Sequence, residues 1–245
     1  MIFNLQPALS EVLNGPDFGQ GSLAVSDLNQ IDTAVMNKVY TVLKRIHPNG
    51  NKPIESWLAK APAEAIKLGE FETPKQFLQE LAKDGTTKLQ LPILYVTREP
   101  SIAYADPSMT GHTELAEADI IEDSEGKAVA RIMTSVATFS YTVNIVGWLD
   151  ADIAPLAVLF TMWLRDRKAS KGLSVKNRIL GCKIETTAKF SDGLVATAAN
   201  TSVPFSEDRL RMLSVTVTVE ADLLMAEMLT TQIMNYQFST EVING

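Results

Sequence analysis

Apolar and polar residues alternate along several stretches in the second half of the chain. From Val136 to Val146 one face carries Ala, Phe, Tyr, Val and Ile, and the other carries Thr, Ser and Asn. The stretch Met212–Ala221 repeats the pattern, with Leu and Val opposing Ser, Thr and Glu. A period of two predicts strands that bury one face, and Ile179–Phe190 alternates in the same way. These three stretches predict the sheet of the protein.

An almost wholly apolar segment follows the first of these strands. Ile153–Leu164 carries no charge over twelve residues, which is too short for a bilayer span of about 20 apolar residues. We therefore expect a helix buried inside the protein. Asp150 and Asp152 precede this run, and acidic residues at that point are expected to cap the helix N-terminus rather than to perform acid–base chemistry.

Helical periodicity dominates the first part of the chain. Apolar residues recur at spacings of three and four, which predicts a helix that begins at Ser26 or Asp27 and runs through Ile46. The turn-forming pair Asn49-Gly50 then stops it. Two shorter helices and a following strand are predicted at Ile54–Leu68, Pro74–Lys83 and Leu89–Thr97.

These elements predict four segments. Residues 1–25 form an N-terminal arm, 26–88 a helical portion, 89–222 an α+β core domain with an excursion at about 100–127, and 223–245 a C-terminal tail. The predicted fold class is α+β. We expect a mostly antiparallel sheet with a long apolar helix packed across it, an N-terminal helical portion and extended arms.

Composition narrows the class of protein. The chain has 245 residues and a formal net charge of −7, which argues against general nucleic-acid binding because that function favours a basic surface. The N-terminus has neither the basic start nor the cleavage site of a secretory signal, so we expect a soluble protein with no membrane partner. The single cysteine, Cys182, lies in a strand-like alternation and is expected to be a buried, inert thiol.

A search for chemistry finds no catalytic, cofactor-binding or metal-binding residue. His47 and His112, the two histidines, have no cysteine or acidic partner at ligand spacing, whereas a zinc site needs three or four ligands. The glycine-rich stretch 15–21 lacks the Lys-Ser/Thr of a phosphate loop and does not follow a strand. We therefore expect an interaction protein that is not an enzyme and has no cofactor.

Two clusters of like charge remain as candidate contacts between subunits or with partner proteins. The basic cluster between Arg165 and Arg178 is interpreted as a loop that contacts DNA phosphates or an acidic protein surface, and the alternative is a solvated helix end whose cations complement the helix dipole. The acidic cluster lies within the excursion, and opposite signs allow pairing between neighbouring copies. The candidate residues are Arg165, Arg167, Lys168, Lys171, Lys176, Arg178, Glu114, Glu117, Asp119, Glu122 and Asp123.

The order of the predicted elements resembles that of a known family. A strand LPILYVT (91–97) is followed by a long excursion, a strand FSYTVNIVGW (139–148) and the apolar helix (152–164). The strand 179–190 and the segment SEDRLRMLSVTVTVEA (206–221) complete the order. This order is similar to that of the tail terminators, also called tail-completion or sheath-stabilising proteins, of contractile-tailed bacteriophages. The helical portion after Asp27 has no counterpart in that pattern.

The resemblance implies a structural virion protein that forms a homo-oligomeric, hexameric ring at the head-proximal end of the tail. Such a ring contacts the tail tube protein, the tail sheath protein and the neck or head-completion proteins. Genomic DNA only passes through its lumen, and assembly takes place in the host cytoplasm. The acidic net charge suits such a channel, because neutralisation of phosphates by basic residues is what retains DNA.

Other interpretations stay open at this point. The chain is alternatively a neck or head–tail adaptor, or a tail-tube protein, which stacks into long tubes where a terminator stops at one ring. A small enzyme with a cleft between the N-terminal helices and the sheet, or a ligand-binding domain, is a less favoured alternative from a different class. The sequence nominates no residues for such a pocket.

Overall fold

The computed structural model describes residues 22–69, 76, 91–104, 116–122, 128–180, 182–191, 198–205 and 208–229. Within these ranges lie four helices and nine strands. In chain order the elements are β1 (Leu23–Val25), α1 (Leu28–Leu43), α2 (Lys52–Ala59), α3 (Pro62–Ala65), β2 (Ile66–Leu68), β3 (Ile93–Tyr104), β4 (Ala116–Glu122), β5 (Ala128–Gly147), α4 (Asp150–Arg165), β6 (Gly172–Ile179), β7 (Cys182–Phe190), β8 (Ala198–Phe205) and β9 (Asp208–Met228).

Two long antiparallel strands, β5 and β9, form the central ribbon of the sheet. Every residue from Ala130 to Gly147 has a partner on β9 in one unbroken register. Alternating β-branched and aromatic residues suit these strands, because such side chains pack well on a pleated surface. The predicted α+β class is therefore confirmed, with the ribbon at its centre.

Shorter strands line both edges of the ribbon. β3 and β4 pair successive parts of β5, while β8, β7 and β1 share the outer edge of β9. The main strand order is β2–β3–β5–β9–β7–β6. The sheet is mixed, which corrects the antiparallel expectation at one edge, since β2 pairs β3 in parallel.

The larger hydrophobic cluster, cluster one, lies between the helices and one face of the ribbon. Apolar residues at helical spacing bury one side of α1, and Asp27 caps this helix by accepting from the Asn29 backbone N–H at 2.9 Å. Helix α4 contributes five buried side chains. The ribbon residues of cluster one are all odd-numbered: Ala137, Phe139, Tyr141, Val143, Ile145, Val215, Val217, Val219 and Ala221.

A smaller cluster, cluster two, lies at the far end of the ribbon. Its residues on the paired part of β5 and β9 are all even-numbered: Ala130, Ile132, Leu224, Ala226 and Met228. Because successive side chains of a strand point to opposite faces and the register is unbroken, clusters one and two lie on opposite faces of the ribbon.

The β6–β7 hairpin contacts both clusters with a single face. Near its base Val175 and Phe190 belong to cluster one, and at its tip Ile179 and Ile184 belong to cluster two. Only Ala188–Phe190 of β7 pair with β9. We attribute this arrangement to the right-handed twist of β-strands, which turns the face of a long ribbon along its length.

Several predicted boundaries are corrected in the first half of the chain. The first helix ends at Leu43 rather than at Ile46. The predicted helix Ile54–Leu68 is two helices, α2 and α3, followed by strand β2, because pairing with β3 extends the backbone after Ala65. The predicted helix Pro74–Lys83 lies outside the described residues, except for Gln76.

Further corrections concern the core domain and its ends. β3 continues to Tyr104 and β4 occupies 116–122, so both strands enter the expected excursion at 100–127. β9 runs to Met228, past the boundary expected at 222, because β5 and β1 pair its last residues on both sides. β1 itself belongs to the predicted N-terminal arm.

Gly147 links the central ribbon to α4 by a close approach. A Cβ atom at this position would lie 2.4 Å from Cγ2 of Ile153, which is fully buried in the first turn of the helix. Glycine is therefore needed where the chain leaves β5 and turns into α4. Asp150 and Asp152 both lie in that first turn, but the N-cap residue is Leu149, which makes no side-chain capping bond.

Candidate interaction surface

The six basic candidate residues do not form one loop. Arg165 ends α4, and Arg167 and Lys168 lie exposed in the connection that follows. Lys176 and Arg178 lie instead on strand β6. This corrects the interpretation of 165–178 as a basic loop, because the alternating cations occupy the outward face of a strand whose other face is buried.

Lys171 is corrected as well, because it is buried rather than solvated. Its relative exposure is 8%, and its backbone carbonyl accepts a hydrogen bond from the Phe190 N–H at 3.1 Å. This bond closes the base of the β6–β7 hairpin. Lys38 on α1 donates through Nζ to the neighbouring Gly172 carbonyl at 3.0 Å, so the helix also holds this end of β6.

The outward face of the β6–β7 hairpin carries most of the exposed positive charge in this region. Lys176 lies opposite Glu185, and Arg178 lies opposite Lys183. Like charges directly opposite on neighbouring strands are destabilising. We call this surface the basic face; its residues are Lys176, Arg178, Lys183, Glu185 and Lys189.

Sequence reasoning missed three members of the basic face, although a signal existed. Lys183, Glu185 and Lys189 alternate with buried residues along β7, and that alternation places them on the side of the hairpin that faces away from the clusters. Lys189 also forms an ion pair of 3.1 Å with Glu220 on β9. Exposed pairs of this kind contribute little to stability.

The acidic candidates are only partly placed. Glu117, Asp119 and Glu122 lie on β4, which pairs with β5 through two register shifts. Their side chains, and the whole of Glu114 and Asp123, fall outside the described residues. Pairing of this cluster with the basic residues of a neighbouring copy therefore stays a prediction.

A polar anchor between α1 and the sheet was not found from the sequence. Asp32 Oδ1 accepts hydrogen bonds from Arg98 Nε at 2.9 Å and from the Tyr141 hydroxyl at 2.7 Å. Burial, followed by the bond to Asp32, raises the pKa of the Tyr141 hydroxyl above its usual range. Tyr141 therefore stays a neutral donor, and the anchor fixes the helix on the sheet.

A second polar contact lies in the middle of the hairpin, between its cluster-one and cluster-two residues. Asn177 Nδ2 donates to Thr186 Oγ1 at 2.6 Å, and both side chains are buried. Asn177 Oδ1 has no hydrogen-bond partner among the described residues. Leaving a buried polar atom unpaired costs stability, so the middle of the hairpin is held less firmly than its apolar base.

The single cysteine and one of the two histidines lie among the described residues. Cys182 is buried at the start of β7, and burial raises the pKa of its thiol. His47 lies in the connection between α1 and α2, with Nδ1 2.8 Å from Asn49 Oδ1, whereas His112 falls outside the described residues. Within the described ranges no group of three His, Cys, Asp or Glu side chains is placed to hold a metal ion.

Helix α4 presents an exposed apolar stripe, which corrects the expectation of a helix buried inside the protein. Val158 is 54% exposed and Met162 is 66% exposed. They continue a line that begins with Ala151 and Pro155, both of which are exposed. We call these four residues the outer stripe. No helix in the part of the chain that the structure describes is long and apolar enough to span a membrane.

Comparison of the sequence with protein-family models found no matching family, and comparison with curated proteins found no match. Among the described residues, the geometry leaves two exposed surfaces as candidates for contacts with other molecules: the basic face of the hairpin and the outer stripe of α4.

Proposed function

We propose that this chain is a structural virion protein, a tail terminator that forms a ring on the end of a contractile bacteriophage tail. The resemblance in element order motivates the proposal, and it includes the expected placement of α4 across the sheet. In this role the ring caps the tail tube, contacts the last sheath ring and joins the tail to the neck proteins.

The position of β6 at the end of the main strand order is the observation that carries the proposal. β6 ends the main strand order, and within the described residues it pairs only with β7. Such an edge offers unpaired backbone groups to a strand of another chain, and monomeric proteins usually protect it. A ring of identical subunits joins one surface of each copy to a different surface of the next. The β6 edge supplies one such surface.

The basic face supplies charge beside that edge. Lys176 and Arg178 alternate along β6 on the outward face, and the whole chain is acidic. A basic surface on an otherwise acidic molecule is complementary to the remaining surface of its own copies, and such complementarity fixes the register of assembly. We therefore assign the basic face to contacts between subunits or with the tube and sheath proteins, rather than to DNA in the lumen.

The test is the mass and shape of the purified chain, alone and with tail tubes, measured by light scattering and negative-stain microscopy. We expect a single ring of about six subunits, or monomers and small oligomers that form one ring at the tube end. Long stacks of rings would instead identify a tube protein. A chain that stays apart from tail tubes would contradict the virion role.

A charge-reversal variant tests the basic face directly. Lys176→Glu combined with Lys183→Glu should abolish ring formation or binding to tubes. Lys52→Glu, at an exposed position on α2, serves as a matched control and should assemble normally. If the double variant assembled like the control at low and high salt, the assignment of the basic face would be wrong.

A further inference from the structure

The outer stripe of α4 has the spacing of a helix–helix contact. Ala151, Pro155, Val158 and Met162 are separated by four, three and four residues, so they lie along one side of the helix. This is the spacing with which apolar residues form the contact line of paired helices. Cluster one covers the opposite side of α4 and leaves the stripe open to solvent.

Charges of opposite sign lie at the two ends of the stripe. Asp150 and Asp152 are in the first turn of α4, and Arg165 ends it. The exposed Arg167 and Lys168 follow; Asp166, between these cations, accepts the Lys168 backbone N–H at 2.9 Å. Charges placed in this way complement the helix dipole. The dipole does not account for the exposed apolar residues between them.

We propose that a second copy of this chain covers the outer stripe, with the two α4 helices antiparallel about a two-fold axis. In this arrangement the acidic start of each helix lies beside the basic end of the other. The stripe then meets an identical stripe, as an isologous contact requires. The inference goes beyond the proposed ring, because a two-fold contact closes at two copies and does not extend around a ring.

The position of the axis follows from the residue numbers. Pairing Asp150 or Asp152 of one copy with Arg165 of the other places the midpoint within half a residue of Val158 on either side. Val158 of each copy therefore lies closest to Val158 of the other, and Pro155 lies opposite Thr161 and Met162. The helix is about 24 Å long at 1.5 Å per residue, so Met162 lies several ångströms from the axis and does not meet its own counterpart.

The size of the stripe sets the strength of the contact. One helix face with four apolar residues buries less than the roughly 1,200 Å² at the low end of stable interfaces. We therefore expect a reversible dimer with a dissociation constant in the micromolar range, on the order of 10⁻⁶ to 10⁻⁵ M. The pair is expected in the free chain, and also between two rings if the ring forms.

Sedimentation of the full chain over a range of concentrations tests the pairing. The wild type should pass from monomer to dimer, or from single to paired rings where rings form, and Val158→Glu should raise the dissociation constant at least about tenfold, because it buries a charge in the contact. Leu23→Glu is the matched control, since Leu23 is an equally exposed apolar residue, 58% exposed, on β1. A wild type that never pairs, or a Val158→Glu variant that pairs as tightly as the control, would overturn the proposal.

Charge reversal tests the antiparallel direction. Asp150→Lys with Asp152→Lys should weaken the dimer, and so should Arg165→Glu with Arg167→Glu. The four substitutions together should restore it, because the opposing ends again carry opposite charge. Thermal unfolding of each variant checks that α4 remains folded. If the fourfold variant is folded and is no tighter than either double variant, the antiparallel pairing is wrong.

Disulfide cross-linking tests the position of the axis and needs no loss of stability. In a Cys182→Ser background, which removes the only native cysteine, Val158→Cys should form a covalent dimer under mild oxidation. Met162→Cys should not, although it is the more exposed position. Equal cross-linking of the two variants, or cross-linking of Met162→Cys alone, would overturn the assigned axis.

Discussion

Clusters one and two are built on the same two strands but in different ways. Cluster one combines two long helices, the base of the hairpin and the aromatic residues Trp57, Phe139, Tyr141, Phe160 and Phe190. Among the described residues, cluster two consists of Cys182, Met228 and aliphatic side chains, and no helix contributes to it. The first is also tied by the Asp32 anchor, whereas Asn177 Oδ1, unpaired among the described residues, lies toward the second.

This difference teaches where the stability of the molecule resides. Aromatic residues bury the largest areas and add favourable ring contacts, and Phe160 stacks on Trp163 at 5.8 Å between ring centroids. Small aliphatic residues bury less surface each. We therefore expect cluster one to set the global stability and cluster two to open separately, as a subglobal unit of lower stability.

The largest expected effect is the loss of a ring from cluster one. Phe160→Ala should lower the free energy of unfolding by about 3–5 kcal/mol, since it removes a fully buried aromatic side chain. Urea denaturation followed by circular dichroism measures this change. Tyr104→Ala, at an aromatic residue that is 56% exposed, should change stability by less than about 0.5 kcal/mol. Similar losses for both would contradict the placement of the core.

A truncation in cluster two should act mainly on local opening. Ile184→Ala removes a buried side chain beside Cys182 and should destabilise the hairpin tip by about 2 kcal/mol, the low end for such truncations. Cys182 should then react with a thiol reagent at least about tenfold faster under native conditions, because its exposure follows the opening equilibrium. Its reaction rate is the measurement.

Val175→Ala is the matched control for this experiment, because Val175 lies on the same hairpin face but in cluster one. It should lower the global stability and leave the Cys182 rate changed by less than about threefold. If the Cys182 reaction rate followed global stability in the same way in both variants, the two clusters would open together. The expected difference between cluster one and cluster two would then be wrong.

The anchor of cluster one should show coupled energetics. Asp32→Ala leaves the Arg98 guanidinium and the Tyr141 hydroxyl without their acceptor and should cost about 1–3 kcal/mol. Tyr141→Phe should cost less, because it removes the donor while Arg98 keeps its contact with Asp32. A double-mutant cycle over both positions should give a coupling energy of at least about 0.5 kcal/mol. If the effects of the two substitutions were additive, the hydrogen bond between Tyr141 and Asp32 would contribute no net stability.

The smallest expected effect is on the pH dependence of the free energy of unfolding, and it comes from Lys60. Burial lowers the pKa of Lys60 to about 8 from its ordinary value of 10.5, and Lys60 Nζ donates to the Pro92 carbonyl at 2.8 Å. Between these two pH values the unfolded chain binds more protons than the folded chain, so this residue makes stability rise with pH. The measurement is the urea midpoint of the wild type and of Lys60→Met at pH 7.5 and at pH 9.5. The midpoint of Lys60→Met should rise less between these pH values than that of the wild type. An unchanged pH dependence would contradict the lowered pKa.

Much of cluster one could be predicted from the sequence, because its strands show a regular alternation. The odd-numbered residues from Ala137 to Ile145 are all fully buried, as the pattern predicted. Asp27 caps α1 as expected, and Asn49 and Gly50 form the predicted turn with positive φ angles. Local chemistry decides these positions, so local reasoning finds them.

Cluster two could not be predicted, because its signal is a change of face within one continuous strand. The buried positions of β5 shift from odd to even between Ala137 and Ile132, and this shift resembles the end of a strand. The core domain was likewise expected to end at Asp222, which in the structure lies within β9. Its carboxylate accepts hydrogen bonds from the Thr187 backbone N–H and hydroxyl at the point where β7 leaves the sheet.

The sequence predicted only part of the basic face and did not predict the outer stripe, for a related reason. The alternating cations on β6 were interpreted as part of a loop because one of the three buried positions between and beside them is polar. These positions are Val175, Asn177 and Ile179. The outer stripe of α4 was interpreted as core, since hydrophobicity does not distinguish a side that contacts the same chain from one that remains open.

The unbroken register of the ribbon also restricts how the length of this protein can change during evolution. Deleting one residue from β5 between the clusters would turn the side chains on one side of the deletion to the other face. A matching deletion in β9 would restore the pairing but would still exchange the faces. Lasting insertions and deletions in this stretch must therefore come as two residues in each strand, or as a bulge that absorbs the odd one.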